Sequence, residues 1–159
     1  MCTVECVGTV GQPRSQLDDQ VCFALYTAFR SVAALYRPML DKLGLTYPQY
    51  LVMLVLWERK SCTIKELCTA LQLDSGTLSP LLKRMEAHDL VRRRRSVDDE
   101  RRVEVTLTEK GDGLRNEART VPERLARTLE IPSEELVSLR EILHRVTSSA
   151  LDQTTGMEN

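Results

Sequence analysis

Six arginines fall within eleven residues and form the densest cluster of cationic side chains in the sequence: Arg92, Arg93, Arg94, Arg95, Arg101 and Arg102. Guanidinium groups bind phosphate oxygens through paired hydrogen bonds. Residues 83–102 carry eight basic and five acidic side chains, a balance of +3, whereas the 159-residue chain carries −1 and its remainder therefore −4. Such a concentration of positive charge in one segment is typical of a surface that binds nucleic acid.

The thiols are the second group of reactive side chains, and they are Cys2, Cys6, Cys22, Cys62 and Cys68. An odd number without the spacing of a disulfide framework is typical of a reducing compartment, so we expect a cytoplasmic protein. There is no Cys-x-x-Cys pair, and only His88 and His144 could add imidazole ligands. We therefore predict no metal site and no cofactor. Taken alone, Cys22 would most often be a small buried hydrophobic residue.

Two short helices precede the arginine cluster and have the pattern of a helix-turn-helix. Thr63 and Glu66 predict a capping box for the first helix, and Asp74 or Ser75 can cap the second, over 76–87. In this motif the second helix enters the major groove of DNA. We predict base-edge contacts from the small polar residues at its front and phosphate contacts from the basic residues behind them: Ser75, Thr77, Ser79, Lys83 and Arg84.

Two strands, over 90–95 and 102–107, are predicted to form an arginine-rich hairpin behind the second helix, and Thr108 should cap the helix that follows. This hairpin would be the wing of a winged helix-turn-helix and would lie over the adjacent minor groove. We expect its part of the DNA interface to comprise Arg94, Arg95, Asp99, Arg101 and Arg102.

The first and last predicted helices are more apolar than such a small DNA-binding region requires, and we expect them to form a homodimer. Residues 17–47 and 109–151 would form this helical dimerisation region, 48–108 the winged helix-turn-helix, and 1–16 and 152–159 flexible tails. The fold class is mainly α with a small β-wing. Packing of these helices within one chain is the alternative. No apolar run is long enough to span a bilayer, so no membrane partner is expected.

The order of these elements resembles that of the MarR family of bacterial transcription regulators. Asp98-Asp99-Glu100-Arg101-Arg102 and Leu107-Thr108-Glu109-Lys110-Gly111 are similar to the family's wing signature and the helix start behind it. Three further segments resemble the organic hydroperoxide resistance regulators within the family: 20–26, 45–53 and 73–82. The resemblance covers roughly residues 17–151.

The resemblance implies a repressor that binds double-stranded operator DNA and has an organic hydroperoxide as its inducer. The cysteine at the place of Cys22 is oxidised to a sulfenic acid, and the operator is released. Tyr36 and Tyr47 would hydrogen-bond the reduced sulfur, and Tyr26 would lie beside the pocket. Because no cysteine follows Cys68, the chain looks like the one-cysteine branch. There the sulfenic acid is capped by a low-molecular-weight thiol or oxidised further.

Helix geometry restricts how such a sensor could be built. Cys22 and Tyr36 are fourteen residues apart on one predicted helix, which separates them by about 21 Å along its axis. A contact between them would therefore have to cross a dimer interface. Phenol donors beside a sulfur favour thiolate, which is the species that peroxides oxidise.

Three other functions remain open on the sequence. The same fold could be released from DNA by a small aromatic ligand bound between the dimerisation and DNA-binding regions, in which case a Cys22 variant would still respond. A thiol peroxidase could use one cysteine, but it would leave the basic wing unexplained. A structural chromatin protein would bind DNA without regulation and with low specificity. We expect a regulator rather than an enzyme.

Overall fold

The computed structural model describes residues 16–17, 19–95 and 102–157, and side chains within these ranges up to residue 153. Asp99 and Arg101 of the predicted wing lie outside the described residues, as do Cys2 and Cys6. The described chain forms, in order, α1 (Val21–Asp41), α2 (Tyr47–Arg59), β1 (Ser61–Thr63), α3 (Ile64–Leu71), α4 (Ser75–Ala87), β2 (Val91–Arg95), β3 (Val103–Leu107), α5 (Glu109–Gly113), α6 (Arg115–Ala118), α7 (Val121–Leu129) and α8 (Ser133–Met157).

The helix starts follow the capping residues read from the sequence. The Thr63 hydroxyl accepts the Glu66 N–H at 3.2 Å, and the Glu66 carboxylate accepts the Thr63 N–H at 2.7 Å. The Asp74 carboxylate accepts the Thr77 N–H at the start of α4, and the Thr108 hydroxyl accepts the Gly111 N–H at the start of α5. Each cap satisfies an N–H group that has no partner within its helix, which is why these residue types end the preceding loop.

A three-stranded antiparallel sheet of order β1-β3-β2 replaces the predicted two-stranded hairpin. The predicted pair β2–β3 is present, with Arg93 opposite Val105. Strand β1 was not predicted; in it Cys62 pairs with Val105 and is 3% exposed. A three-residue strand is too short for alternation to reveal it.

The hydrophobic core lies beneath the helix-turn-helix. Four apolar residues recur at helical spacing along α4 and are all buried, namely Leu78, Leu81, Leu82 and Met85. They pack with α2 and α3, where Met53, Leu56 and Leu67 are fully buried. The end of α1 closes this core through Met39 and Leu40. Helix α4 is thus held by apolar contacts along one side and leaves its other side open.

Two differences concern the C-terminal helices. The segment that follows Thr108, predicted to be helical, is divided into α5, α6 and α7, with Leu114 ending the first of these. The last helix continues to Met157, so the flexible tail predicted from 152 is helical as far as that residue. Its polar sequence beyond Leu151 lacks the apolar repeat on which the earlier end was placed. No helix within the described ranges is long and apolar enough to cross a membrane.

Candidate DNA interface and thiol site

The front of the recognition helix α4 presents small polar groups to solvent. Asp74 Oδ1 accepts the Thr77 N–H at 2.8 Å, and Asp74 Oδ2 accepts the Thr77 hydroxyl at 2.7 Å. These hydrogen bonds from Thr77 lower the pKa of Asp74. Ser75 and Thr77 are exposed, whereas Ser79 is half-buried. The cap therefore fixes the rotamer of Thr77 at the end of the helix that would face base edges.

Basic side chains follow these small residues on the same open side of α4. Lys83 and Arg84 are exposed, as the sequence pattern predicted. A cavity of about 620 Å³ lies between α3, the start of α4 and the first residues of β3, and Ser75, Ser79 and Arg102 line it together. Lys65, which the sequence analysis did not single out, lies on the same cavity wall. The structure thus brings one wing arginine next to the front of the recognition helix.

The arginines of β2 differ in their surroundings. Arg92, Arg94 and Arg95 are exposed, whereas Arg93 is half-buried. Arg93 donates from Nε at 2.9 Å and from Nη2 at 2.7 Å to Glu86 Oε2, and its N–H donates to Glu86 Oε1 at 2.9 Å. These contacts with Arg93 lower the pKa of Glu86. The run of identical side chains therefore contains members with different environments.

The root of the wing is anchored by the start of α5. The Thr108 hydroxyl donates to the carbonyl of Asp89 at 2.5 Å and accepts the Gly111 N–H at 3.0 Å. Lys110 Nζ donates to the carbonyl of His88 at 2.9 Å. The Thr-Glu-Lys-Gly segment at the helix start behind the wing thus ties the turn between α4 and β2 to α5.

Three phenol rings cluster where α1 passes α2. The ring centroids of Tyr36 and Tyr47 are 4.8 Å apart, and those of Tyr36 and Tyr50 are 6.1 Å apart. Burial and then the neighbouring Tyr47 raise the pKa of Tyr36. Burial first, and then Tyr36 and Tyr47, raise the pKa of Tyr50 to about 12. The structure therefore brings Tyr36 and Tyr47 together and adds Tyr50, which the sequence did not single out.

Cys22 lies near the other end of α1 and is exposed. Tyr26, one turn further on, is 55% exposed, and Arg30 donates to its hydroxyl at 3.3 Å. The Arg30 guanidinium also lies 5.5 Å from the centroid of the Tyr26 ring. Cys22 and Tyr36 belong to one continuous helix, so a single chain does not bring them together. One chain supplies a thiol at one end of α1 and a phenol pair at the other.

The remaining described cysteines lie in the DNA-binding region. Cys62 is buried in β1, and burial raises the pKa of its thiol. Cys68 is half-buried and lines the cavity beside α4. Among the described residues, no group of three or more His, Cys, Asp or Glu side chains could hold a metal ion.

Known proteins match most of the chain. The family model for the transcriptional regulator SarA/Rot matches residues 34–118. The organic hydroperoxide resistance transcriptional regulator of Bacillus subtilis (strain 168) is 44% identical over 129 residues, which cover 81% of this chain and 88% of that protein.

Among solved structures, reduced AbfR bound to DNA, the Staphylococcus epidermidis protein, is similar with 32% identity and a TM-score of 0.72, over 86% of this chain and 95% of that one. Its disulfide form has 32% identity and a TM-score of 0.63, over 83% and 93% of the two chains. Together with the helix-turn-helix and wing described above, these matches confirm the resemblance carried by the sequence motifs. The chain belongs to the MarR family of DNA-binding transcription regulators, with organic hydroperoxide resistance regulators among its relatives.

Proposed function

We propose that this protein is a homodimeric cytoplasmic repressor that senses organic hydroperoxides through Cys22 and then releases its operator DNA. The proposal rests on one observation: the sensor residues of a single chain lie at opposite ends of α1. The phenols of Tyr36 and Tyr47 lie together at one end, and the exposed thiol of Cys22 lies at the other. The site is complete only when a second copy presents its thiol to the phenol pair.

Exposed apolar side chains on α1 and α8 support the pairing of two copies. On α1, Val21 is 68% and Phe29 is 59% exposed. On α8, five apolar side chains are between 36% and 47% exposed: Val137, Leu139, Ile142, Leu143 and Val146. Apolar patches of this kind mark interaction surfaces on soluble proteins. A two-fold pairing of two copies through α1 and α8 would cover these apolar side chains and would present two recognition helices to two DNA half-sites.

The proposed chemistry begins with the thiolate of Cys22. Its sulfur attacks the terminal oxygen of the hydroperoxide, so that an S–O bond forms as the O–O bond breaks. The departing alkoxide takes a proton from solvent and leaves as an alcohol, and Cys22 becomes a sulfenic acid. Phenol donors at Tyr36 and Tyr47 would hold the sulfur, and Tyr26 would border the pocket. A low-molecular-weight thiol then condenses with the sulfenic acid, with loss of water, to give a mixed disulfide.

The oxidised sulfur would act on DNA binding through the dimer interface. An added oxygen changes volume and hydrogen bonding in a close-packed contact between two copies, which shifts their arrangement and the distance between recognition helices. We propose base-edge contacts from Ser75, Thr77 and Ser79, together with phosphate and minor-groove contacts from the basic side chains and the wing: Lys83, Arg84, Arg94, Arg95, Asp99, Arg101 and Arg102. The Bacillus subtilis relative named for organic hydroperoxide resistance supports this proposal.

The test is the site and rate of oxidation. Reduced protein would be treated with equimolar cumene hydroperoxide, trapped with a sulfenic-acid reagent and analysed by mass spectrometry of its peptides. We expect Cys22 to gain one oxygen and Cys68 to stay reduced. Tyr36→Phe should slow the reaction about tenfold, the effect of losing one hydrogen bond to a charged group. Cys68→Ser is the matched control and should react as wild type does. Oxidation confined to Cys68 would refute the proposal.

A second candidate, release by a small aromatic acid, is favoured by one observation. The Tyr50 hydroxyl is buried without a hydrogen-bond partner, and Tyr50 lines a cavity of about 320 Å³ together with Trp57, Arg115 and Arg119. An unpaired phenol donor, apolar walls and two guanidinium groups fit an aromatic carboxylate. Calorimetric titration of wild type and of Tyr50→Phe with benzoate would test this second candidate. The two candidates differ in one respect, because a Cys22→Ser variant would stay responsive to the acid.

A further inference from the structure

Glu86 and Arg93 connect the recognition helix to the wing. Both carboxylate oxygens of Glu86 are used: Oε1 accepts the backbone N–H of Arg93, and Oε2 accepts Nε and Nη2 of its guanidinium. The shortest of these contacts, from Nη2, is 2.7 Å. One side chain of α4 therefore holds both the backbone and the side chain of a residue in β2.

The strand geometry explains why Arg93 is the arginine that Glu86 reaches. Side chains alternate between the two faces of a strand, so Arg93 shares a face with the buried Val91 and lies opposite the buried Val105. That face is turned toward the helices. Arg92 and Arg94 point to the opposite face and are exposed. A guanidinium at 93 is thus directed away from the outer surface of the wing and toward the end of α4.

The connection that the pair reinforces is short. Three residues, 88–90, join α4 to β2, and Asp89 among them has a left-handed backbone with φ of 57°. Thr108 and Lys110 fix the carbonyls of this turn from the α5 side. These anchors lie at the root of the wing, whereas the Glu86–Arg93 contact lies further along β2. Two attachment points at different distances from a hinge fix an angle that one attachment point would leave free.

We propose that the Glu86–Arg93 pair is a brace that sets the angle between the recognition helix and the wing. Both are positioning residues for DNA binding, and Arg93 is not one of the phosphate contacts. This inference rests on DNA binding by the chain and is independent of hydroperoxide sensing by Cys22. It assigns different tasks to neighbouring arginines: Arg93 holds the strand in place so that Arg94 and Arg95 reach DNA.

The Glu86→Gln variant separates a positioning role from a purely electrostatic one, because the two predict opposite changes in DNA affinity. Glu86 carries a negative charge beside a surface that approaches phosphates, so Glu86→Gln should tighten DNA binding if charge were its only effect. The brace predicts weaker binding, because a Gln amide turns a donor toward one of the Arg93 donors and loses the charge-assisted bonds. The matched control is Asp89→Asn, which removes a carboxylate three residues away and keeps a residue type that tolerates a left-handed backbone.

The experiment measures the affinity of reduced protein for a duplex from its own promoter by fluorescence anisotropy at fixed salt, with folding checked by circular dichroism. We expect Glu86→Gln to weaken binding about tenfold, and Asp89→Asn to bind as wild type does or more tightly. Arg93→Lys keeps the charge but loses the planar fork, and it should behave as Glu86→Gln does. Failure of the wild type to bind any promoter duplex would refute operator binding itself and with it the brace.

A double-mutant cycle separates positioning from loss of stability. If the brace positions the wing, removing Arg94 should cost less affinity in the Glu86→Gln background than in the wild type, so that the two effects combine to less than their product. A variant that merely lowers folding stability would leave the effect of Arg94→Ala unchanged. The brace is overturned if Glu86→Gln binds at least as tightly as Asp89→Asn, or if the effects of Glu86→Gln and Arg94→Ala multiply in full.

Discussion

Gly111→Ala tests how tightly the wing root is packed against α5. Gly111 is buried, its N–H is capped by Thr108, and its carbonyl accepts Trp57 Nε1–H at 3.0 Å. A β-carbon at this position would collide with the carbonyl oxygen of Leu90 and lie 3.3 Å from Met53 Cε. The Leu90 carbonyl cannot move freely, because it accepts the Thr108 N–H at 3.1 Å. The clash can therefore be relieved only if α5 moves away from Leu90 and from Trp57.

The expected cost combines two effects. Overpacking of a closed site costs about 1–3 kcal/mol, and weakening of the buried hydrogen bonds around Gly111 adds about 1 kcal/mol. A loss of about 3 kcal/mol would lower Tm by about 6–12 °C in a chain of this length. Urea and thermal unfolding followed by circular dichroism would measure it. Gly113→Ala is the control, since a β-carbon there meets nothing within 4 Å, and it should be neutral or stabilising by up to about 1 kcal/mol. Equal stability of the two variants would refute the packing argument.

Further predictions concern the phenol cluster, the wing root and the dimer. Burial holds Tyr50 protonated to about pH 12 in the folded state, whereas an unfolded tyrosine ionises near pH 10. Folding stability should therefore be intact below about pH 10 and fall as pH rises toward 12, and Tyr50→Phe should lessen this fall in urea titrations. Thr108→Val removes the hydroxyl that bonds Asp89 and Gly111, and it should destabilise by about 1–3 kcal/mol, whereas Thr69→Ala, at an exposed site on α3, should change stability by less than about 0.5 kcal/mol. Ile142→Glu places a charge on the apolar side of α8 and should shift the protein from dimer to monomer in sedimentation velocity; an unchanged dimer would contradict the proposed interface.

Sequence patterns predicted those features of the fold that depend on interactions between residues close together in the chain. A capping residue such as Thr63 or Asp74 acts on N–H groups within three residues of itself, so the sequence places it well. The four inward residues of α4 follow one helical period for the same reason. Strand β1 was missed because its partner β3 lies over forty residues away along the chain, and a three-residue strand has almost no pattern of its own.

In the candidate site, too, the sequence revealed some residues, whereas the contacts of others appear only in the folded chain. The wing arginines were recognisable as a group, but the pairing of Arg93 with Glu86 was not predicted, because the two residues become adjacent only when β2 folds back against α4. Tyr50 was not singled out from the sequence, and only the three-dimensional structure shows its buried hydroxyl without a hydrogen-bond partner. The separation of Cys22 from Tyr36 could be derived from helix geometry alone, since both fall on one continuous helix.

Release of operator DNA on oxidation tests whether Cys22 is the sensor. Reduced wild type and Cys22→Ser would each be bound to a duplex from the protein's own promoter, treated with cumene hydroperoxide with and without a small thiol, and followed by anisotropy. We expect wild type to lose affinity by about tenfold or more, dithiothreitol to restore the affinity, and Cys22→Ser to stay bound throughout. Release of Cys22→Ser by the same treatment, or retention of wild type in the presence of both reagents, would contradict sensing by Cys22.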